Sequence, residues 1–227
     1  MKNKSIILLS GGLDSLVSLG LAYEEYNTKL ALTFDYGQKS LKSEIAAARR
    51  ISEYYNLEHK IIKLDWLNSI TNNALVSDNK ELPDGEFPSE QSAKAVWIPN
   101  RNSLFLNIAA AFAESEEFTH IIIGANKEEA ETFPDNSSEF IERINALLEY
   151  STLQKPKIIA PLLNYDKNDI VKIAITHSIP LEFVHSCYSK NLGHCGKCES
   201  CVRLKKALIA NKADNYLNIL FKEEYAN

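Results

Sequence analysis

A short apolar run near the amino end leads directly into a turn that contains two glycines. Residues 6–9 are apolar, the motif Ser-Gly-Gly-Leu-Asp-Ser occupies residues 10–15, and the next residues have the spacing of an amphipathic helix. A buried strand that passes through glycines into a helix presents backbone N–H groups to an anion. Asp14 would repel a phosphate unless Mg²⁺ lies between the two, as it does on ATP. The stretch therefore predicts a loop for the diphosphate of Mg-ATP; the alternative is an ordinary capped turn.

The composition indicates a globular chain with a small-molecule ligand. The 227 residues suffice for one large α/β domain with a small C-terminal appendage. No apolar run approaches the ~20 residues of a membrane span and no signal peptide is recognisable, so we expect a soluble, cytoplasmic protein without a membrane partner. With a net charge of −5 the chain lacks the basic surface of stable nucleic-acid binders, which favours a small-molecule substrate over tRNA.

Alternating strand and helix patterns predict a parallel sheet. Apolar strand patterns occupy residues 5–9, 29–34 and 59–64, with helix patterns between them. Further strand patterns follow at residues 120–124 and 157–160. Such an order is typical of doubly wound sheets, whose ligands bind at the carboxyl ends of the strands. We therefore predict an α/β fold with a doubly wound, mostly parallel, five-stranded sheet.

Two parts of the chain fall outside this alternation. Residues 65–100 lose clear periodicity and contain several prolines, which indicates either a partly mobile segment that covers the substrate or a passive insertion. A cysteine-containing segment after the sheet leads into helix patterns at residues 201–211 and 214–225. The predicted division is an ATP-binding α/β domain at residues 1–180 and a helical, metal-binding region at residues 181–227.

All cysteines of the chain lie close together in the C-terminal region: Cys187, Cys195, Cys198 and Cys201. Four thiolates on one short loop suit a structural Zn²⁺ site, although iron–sulfur clusters use a similar spacing. Because the thiols complete a ligand set, we expect His185 and His194 to face solvent or to lie beside the site. No cysteine remains as a persulfide carrier or glutaminase nucleophile, so an enzyme that consumes nitrogen would take free ammonia or receive it from a partner.

Five motifs in a common order make the chain similar to one family. They are the glycine-containing loop, Phe-Asp-Tyr-Gly-Gln at residues 34–38, Pro-Asn-Arg-Asn at 99–102, Phe-Pro-Asp at 133–135 and the four cysteines. Together they resemble the 7-cyano-7-deazaguanine synthases, which belong to the PP-loop ATP pyrophosphatases. The resemblance covers nearly the whole chain. It implies a fold of the adenine nucleotide alpha hydrolase type, ATP and Mg²⁺ as cofactors, zinc rather than an iron–sulfur cluster, and a homodimer.

The resemblance also implies a reaction. Members of the family convert the carboxylate of 7-carboxy-7-deazaguanine to a nitrile with ammonia and ATP, in the biosynthesis of queuosine-type nucleosides. A carboxylate is a poor electrophile, and transfer of AMP to it creates a leaving group that ammonia displaces. A second adenylation, on the amide oxygen, followed by loss of AMP gives the nitrile. We therefore expect two AMP for each nitrile formed.

The resemblance assigns roles to residues of this chain. The catalytic residues would be Asp14, Ser15 and Arg101, and the last of these has a planar fork suited to a carboxylate or phosphate. The substrate site would comprise Asp35, Gln38, Arg101, Asn102, Glu129 and Asp135. The ATP site would comprise Leu8, Leu9, Ser10, Gly11, Gly12, Leu13, Asp14, Ser15, Leu16, Val17, Ser18, Thr33 and Phe34. Two of these have simpler alternatives, since Asp35 could cap a turn and Arg101 could be an exposed loop residue.

One region departs from the family pattern. Glu129, Asn136 and Ser137 stand where the family usually has aspartate, cysteine and arginine. These positions are expected near the deazapurine, so another purine-like acid remains an alternative substrate. A tRNA-modifying relative has the same loop, but the acidic charge and the lack of a spare cysteine disfavour it. A non-catalytic ATP-binding protein is the alternative from another class, and the intact Asp14 disfavours it.

Overall fold

The computed structural model describes residues 3–83, 85 and 90–222, and its centre is one sheet. The strands are β1 (Ser5–Leu8), β2 (Thr28–Asp35), β3 (Glu58–Lys63), β4 (His120–Ile122) and β5 (Lys157–Ile159). Their order is β3-β2-β1-β4-β5, and every neighbouring pair is parallel. The predicted doubly wound, five-stranded α/β sheet is confirmed. The winding changes sides between β1 and β4, which is where such sheets bind ligands.

Helices connect the strands and cover both faces of the sheet. In chain order they are α1 (Leu13–Ala22), α2 (Leu41–Tyr54), α3 (Asp65–Ser69), α4 (Glu90–Val96), α5 (Arg101–Ser115), α6 (Lys127–Ala130), α7 (Ser138–Ser151), α8 (Lys167–Thr176), α9 (Glu199–Ala210) and α10 (Asp214–Leu220). Short 3₁₀ turns lie at Pro134–Asn136 and Leu181–Phe183. Among the helices that the structure describes, none combines the length and the apolar character that a bilayer span requires.

Alternate residues of β1 contribute to two hydrophobic cores. Ile7 packs with residues of α1, α8 and α9, while Ile6 packs with residues of α5 and α7. Both side chains are fully buried, as expected for a central strand with helices on both faces. Because α9 shares a core with α1, the C-terminal helices are part of the same packed body as the sheet. The division at residue 180 stays a prediction.

The stretch at residues 65–100 contains α3 and α4, where the sequence indicated no regular structure. The Ala74 N–H donates to the Ala95 carbonyl at 2.8 Å, and Asn73 Nδ2 donates to the Trp97 carbonyl at 2.8 Å. Ile98 is buried in the core that contains α5. These contacts anchor the stretch beside the sheet, whereas its mobility stays a prediction. Of the last predicted helix, residues 223–225 lie outside the described residues.

Candidate active site

The glycine-containing loop at residues 10–15 lies at the carboxyl end of β1. Gly11 has a φ of +83°, a conformation that favours glycine, and a Cβ there would lie 2.7 Å from the Ala47 Cβ on α2. The Ser10 and Ser15 hydroxyl oxygens are 3.2 Å apart, and Ser10 Oγ accepts a hydrogen bond from the Gly12 N–H at 3.2 Å. The loop is therefore packed tightly against α2, and its two hydroxyls lie together.

A cavity of about 240 Å³ opens in front of this loop. Its wall includes the ends of β1 and β2, the start of α5 and residues that follow β4. Most of the residues assigned from the sequence line it: Leu8, Leu9, Ser10, Gly12, Leu13, Asp14, Ser15, Thr33, Phe34, Gln38, Arg101, Asn102, Glu129 and Asp135. The fold thus brings together residues of every motif except the cysteines.

The other assigned residues are not part of the cavity wall: Gly11, Leu16, Val17, Ser18 and Asp35. The three from α1 are fully buried inside the fold, and Gly11 packs on α2. Asp35 Oδ1 accepts a hydrogen bond from the Gly37 N–H at 3.2 Å, so this carboxylate caps a turn. The assignment of these residues as ligand contacts stays a prediction. For Asp35, the hydrogen bond to the Gly37 N–H fits the simpler alternative of a capped turn.

A lysine that sequence analysis did not single out joins two carboxylates in the cavity. Lys167 Nζ donates to Asp14 Oδ2 and lies 3.1 Å from Glu129 Oε1. It is the first residue of α8, whose start is closed by a capping box between Asp166 and Asp169. The sequence showed the cap, but not the role of the lysine inside it. A cation at a helix N-terminus is unfavourable with respect to the helix dipole. A lysine at the first position of a predicted helix is therefore the sequence signal by which Lys167 could have been identified.

This ion triad of Asp14, Glu129 and Lys167 fixes the charges of its members. Burial raises the pKa of Asp14 to about 6, although Lys167 opposes the rise. Burial favours neutral Lys167, but the two carboxylates outweigh it and raise the lysine's pKa. Burial also acts to raise the pKa of Glu129, yet the neighbouring lysine outweighs it and the pKa falls. Asp14 therefore gains its charge as the pH rises through about 6, while its two partners are already charged.

Asp14 has one oxygen available for a metal ion. Its Oδ2 pairs with Lys167, while its buried Oδ1 has no hydrogen-bond partner among the residues that the structure describes. Carboxylate oxygens together with substrate phosphates are the usual ligands of Mg²⁺. The unpaired oxygen therefore fits a Mg²⁺ ion that arrives with ATP.

Aromatic rings line another part of the cavity. Phe34 stacks on Phe105 with ring centroids 3.9 Å apart, and Trp97 lies parallel to Phe133 with centroids 5.8 Å apart and an interplanar angle of 8°. All four rings are in the cavity wall. Flat apolar surfaces of this kind suit a planar aromatic ligand.

A hydrogen-bond donor and an acceptor lie close together in this aromatic part. Arg101 Nη1 lies 3.4 Å from the Tyr36 hydroxyl. Asp135 Oδ1 accepts from Asn136 Nδ2 at 3.2 Å, and the Asp135 carbonyl accepts from Asn102 Nδ2 at 3.2 Å. Burial raises the pKa of Asp135, and the positive charge of Arg101 opposes this rise. Arg101 is therefore a cavity residue close to an acidic group, and not an exposed loop arginine.

Gln38 and Glu44 form a hydrogen-bonded group in the cavity wall. Gln38 Nε2 donates to Glu44 Oε2 at 2.7 Å and to the Phe34 carbonyl at 2.9 Å, and Ser40 Oγ donates to Glu44 Oε1 at 2.6 Å. Burial raises the pKa of Glu44, a residue outside every motif noted in the sequence. Because the Gln38 amide is bonded within the protein, its contact with a substrate stays a prediction.

The four cysteine sulfurs form a cluster that can hold a metal ion. All four lie within 4.8 Å of one another, and those of Cys195 and Cys201 are 3.9 Å apart. A tetrahedron with metal–sulfur bonds of about 2.3 Å has edges of about 3.8 Å. The separations fit a single ion. A multi-iron cluster would hold its cysteine sulfurs farther apart, because iron and sulfide atoms lie between them.

The two histidines beside the cluster are buried, so the expectation that they face solvent is wrong. His194 Nδ1 lies 3.0 Å from the Leu220 carbonyl, and its Nε2 lies 3.1 Å from the Ser186 N–H. A carbonyl only accepts, so Nδ1 carries the proton and Nε2 accepts from Ser186. Both ring nitrogens of His194 are engaged by the backbone. The structure thus supports the other expectation for His194, that it lies beside the metal site.

Comparison with known proteins supplies the family. Residues 4–212 match the model of a family described as "Queuosine biosynthesis protein QueC". This chain belongs to the QueC family. A relative from Methanosarcina barkeri, named 7-cyano-7-deazaguanine synthase, is 46% identical over 90% of this chain and 93% of its own length. A relative of the same name from Carboxydothermus hydrogenoformans is 44% identical over 90% of this chain and 97% of its own length.

Solved structures with the same fold have distant sequences. A 4-thiouridine synthetase in complex with RNA and ATP has a TM-score of 0.51 and 21% identity over 99% of this chain and 53% of its own. The U34-tRNA thiolase NcsA from Methanococcus maripaludis, with a [4Fe-4S] cluster, has a TM-score of 0.50 and 19% identity over 98% of this chain and 70% of its own. At these identities the likeness concerns the fold alone.

The three departures from the usual QueC pattern have distinct places in the structure. Glu129 pairs with Lys167, and Asn136 donates to the Asp135 carboxylate. Ser137 caps α7, because its Oγ accepts from the Phe140 N–H at 3.2 Å. Glu129 and Asn136 line the cavity, whereas Ser137 does not. Two of the three departures therefore lie in the cavity wall, and their contact with a substrate stays a prediction.

Proposed function

We propose that this chain converts 7-carboxy-7-deazaguanine and ammonia to 7-cyano-7-deazaguanine and cleaves two ATP to AMP and diphosphate. The proposal accords with the name of its relatives. The observation that carries it is one cavity that contains both the glycine-containing loop and an aromatic part with Arg101 and Asp135. A nucleotide and a flat acid can meet there.

The proposed chemistry starts with the substrate carboxylate. One carboxylate oxygen attacks the α phosphorus of ATP, diphosphate leaves, and ammonia displaces AMP to give the amide. The amide oxygen then attacks the α phosphorus of a second ATP, diphosphate leaves, and the amide nitrogen loses one proton. Loss of AMP and of the second nitrogen proton leaves the nitrile. The N–H groups of Asp14 and Ser15, in the first turn of α1, are the assigned donors for the departing diphosphate, as at other helix N-termini. Those of Gly12 and Leu13 already donate to Ser10 Oγ and Ser186 Oγ. The Asp14 carboxylate would hold Mg²⁺, and the ion would neutralise charge on the phosphates.

Lys167 is the further cation that we assign to the phosphates. In the described structure it neutralises Asp14 and Glu129. A bound Mg²⁺ would take over the neutralisation of Asp14, so the ammonium group could turn to the phosphates at little electrostatic cost. Adenosine would contact the end of β2 chiefly through the backbone, because the Thr33 hydroxyl is already bonded to the Leu9 carbonyl at 2.6 Å and Phe34 is stacked on Phe105.

The deazapurine is assigned to the aromatic part of the cavity. Guanine has an acceptor, O6, beside two donors, N1–H and the 2-amino group. The guanidinium of Arg101 is a donor, and the Asp135 carboxylate is an acceptor with two oxygens. Both line the cavity, so they offer this edge a donor and an acceptor, while Trp97 and Phe133 offer surfaces for the ring. The carboxylate on C7, in the five-membered ring beside O6, would face the phosphates.

Asp135→Asn is expected to weaken the preference for a 2-amino group. Wild-type protein should prefer 7-carboxy-7-deazaguanine over the analogue without that group by about a hundredfold in kcat/KM, because the analogue leaves a buried acceptor unpaired. The variant should lose most of this preference, measured as AMP release from each acid. Asp78→Asn alters an exposed ion pair with Lys190 and should retain it. An unchanged preference in Asp135→Asn would exclude this assignment.

We assign Zn²⁺ to the cysteine cluster, because the sulfur separations fit one ion and zinc prefers four thiolates. Free ammonia is the assigned nitrogen donor, and we propose a cytoplasmic homodimer without a stable nucleic-acid partner. Metal analysis of the purified protein tests the assignment of Zn²⁺, and its mass in solution tests the homodimer.

The proposed function is tested by incubation of the protein with Mg-ATP, ammonium and 7-carboxy-7-deazaguanine. The expected product is the nitrile, identified by mass, with two AMP for each nitrile. Release of ADP and phosphate would refute the chemistry. ATP binding without AMP release, with this or any related acid, would indicate the non-catalytic alternative.

A further inference from the structure

The segment before the cysteine cluster contacts the glycine-containing loop directly. The His185 N–H donates to the Gly11 carbonyl at 2.8 Å. Ser186 Oγ accepts from the Leu13 N–H at 3.2 Å, and both Ser186 and Leu13 line the cavity. Two hydrogen bonds therefore fix consecutive parts of the loop that is proposed to bind phosphate. Both come from residues that immediately precede Cys187.

The same segment is held in place from the cluster side. Cys187 follows Ser186, and His194, which precedes Cys195, accepts from the Ser186 N–H and donates to the Leu220 carbonyl. Ser186 is thus linked to two cysteines. It is bonded covalently to Cys187, and its N–H donates to the ring of His194, which precedes Cys195. Because a metal ion would tie both cysteines to one point, it would also fix the position of the Ser186 hydroxyl.

We propose that the metal-bound cysteine cluster holds the glycine-containing loop in its ATP-binding conformation through Ser186, so that loss of the metal weakens ATP binding. Ser186 acts as a positioning residue. Of the two hydrogen bonds from this segment to the loop, it supplies the one made by a side chain, while the His185 N–H supplies the other. The inference rests on the proposed role of the loop in ATP binding. It goes beyond a structural metal site because it links the metal to one hydroxyl and one amide of the active site.

The test measures the affinity for Mg²⁺ with a non-hydrolysable ATP analogue, by calorimetry, on the full chain with its metal. Ser186→Ala should bind about tenfold more weakly, the effect of one lost hydrogen bond, with unchanged metal content. Ser186→Thr keeps the hydroxyl and should restore most of the affinity. Ser43→Ala is the matched control. The Ser43 hydroxyl also bonds the cysteine loop, at the Asn191 carbonyl (3.1 Å), but among the described residues it has no hydrogen bond to the glycine-containing loop.

Removal of the metal completes the test. It should weaken binding at least tenfold in wild-type protein, and by less in Ser186→Ala, where the Ser186 bond is already lost and only the His185 bond remains. Equal affinity of Ser186→Ala and wild type, or equal losses on metal removal in both, would overturn the inference. If metal-free protein unfolds, hydrogen exchange of the Leu13 amide decides: it should be faster in metal-bound Ser186→Ala than in Ser43→Ala. Absence of ATP binding by wild type would instead refute the proposed function, while the exchange rates would still test the Ser186 bond.

Discussion

Asp14→Asn is expected to lower the rate of AMP formation by about a thousandfold, because the group loses the charge that holds Mg²⁺ on the ATP phosphates and with it several kcal/mol of transition-state stabilisation. Within the described part of the chain, the buried Asp14 Oδ1 has no hydrogen-bond partner and is therefore available to the ion. The side chain volume is almost unchanged, so the fold should persist. The measurement is diphosphate release under saturating acid and ammonium.

Asp35→Asn is the matched control for this result. Asp35 belongs to a motif of the family. In the structure its carboxylate accepts a hydrogen bond from the Gly37 N–H and caps a turn, and Asp35 does not line the cavity. An asparagine oxygen can accept the same hydrogen bond, so activity should stay within about twofold of wild type. If both variants lost activity equally, the assignment of the Mg²⁺ ligand to Asp14 would be wrong.

Lys167→Met is expected to lower the free energy of unfolding by about 3 to 5 kcal/mol at pH 8, because it leaves buried carboxylates without their counter-charge. The side chains of Lys167 and Asp14 are only 12% and 17% exposed. The variant should also lose most of its activity, since the phosphates lose a cation. Urea denaturation and AMP release measure the two effects.

The stability loss in Lys167→Met should depend on pH. The folded pKa of Asp14 is raised, to about 6, so its favourable contribution is present below its unfolded pKa and is lost as pH rises through about 6. Removal of Lys167 raises that pKa further, so the deficit should be smaller at pH 5 than at pH 8. Lys157→Met is the control: this half-exposed lysine pairs with Glu149 at 3.0 Å, and its loss should change little at either pH. A deficit independent of pH would contradict the ion triad.

The sequence predicted what is local and missed what the fold brings together. The strand, the glycine turn and the first helix are adjacent in the chain, so the loop could be located from periodicity and residue type. Lys167 and Ser186 reach the same loop only because α8 and the cysteine segment pack against α1 and β1. Residue spacing contains no information on such distant pairings.

Asp35 and His194 show the converse limit of motif reasoning. Asp35 stands at the carboxyl end of a strand, where ligands are expected, but the turn at Gly37 engages its carboxylate. For His194, the spacing of the four cysteines indicated that no further metal ligand is needed. It could not show that both ring nitrogens are hydrogen-bonded to backbone groups. In both cases a local hydrogen bond engages the side chain, and its geometry follows only from the folded backbone.

The most direct test of the central claim, AMP transfer to the acid at the glycine-containing loop, uses 7-carboxy-7-deazaguanine with ¹⁸O in both carboxylate oxygens. Mass spectrometry of the products should find one ¹⁸O in each AMP and none in diphosphate, because each AMP leaves with an oxygen that the acid supplied. ¹⁸O in inorganic phosphate, or AMP without ¹⁸O while the amide retains it, would show that the acid is not adenylated. Either result would contradict the account.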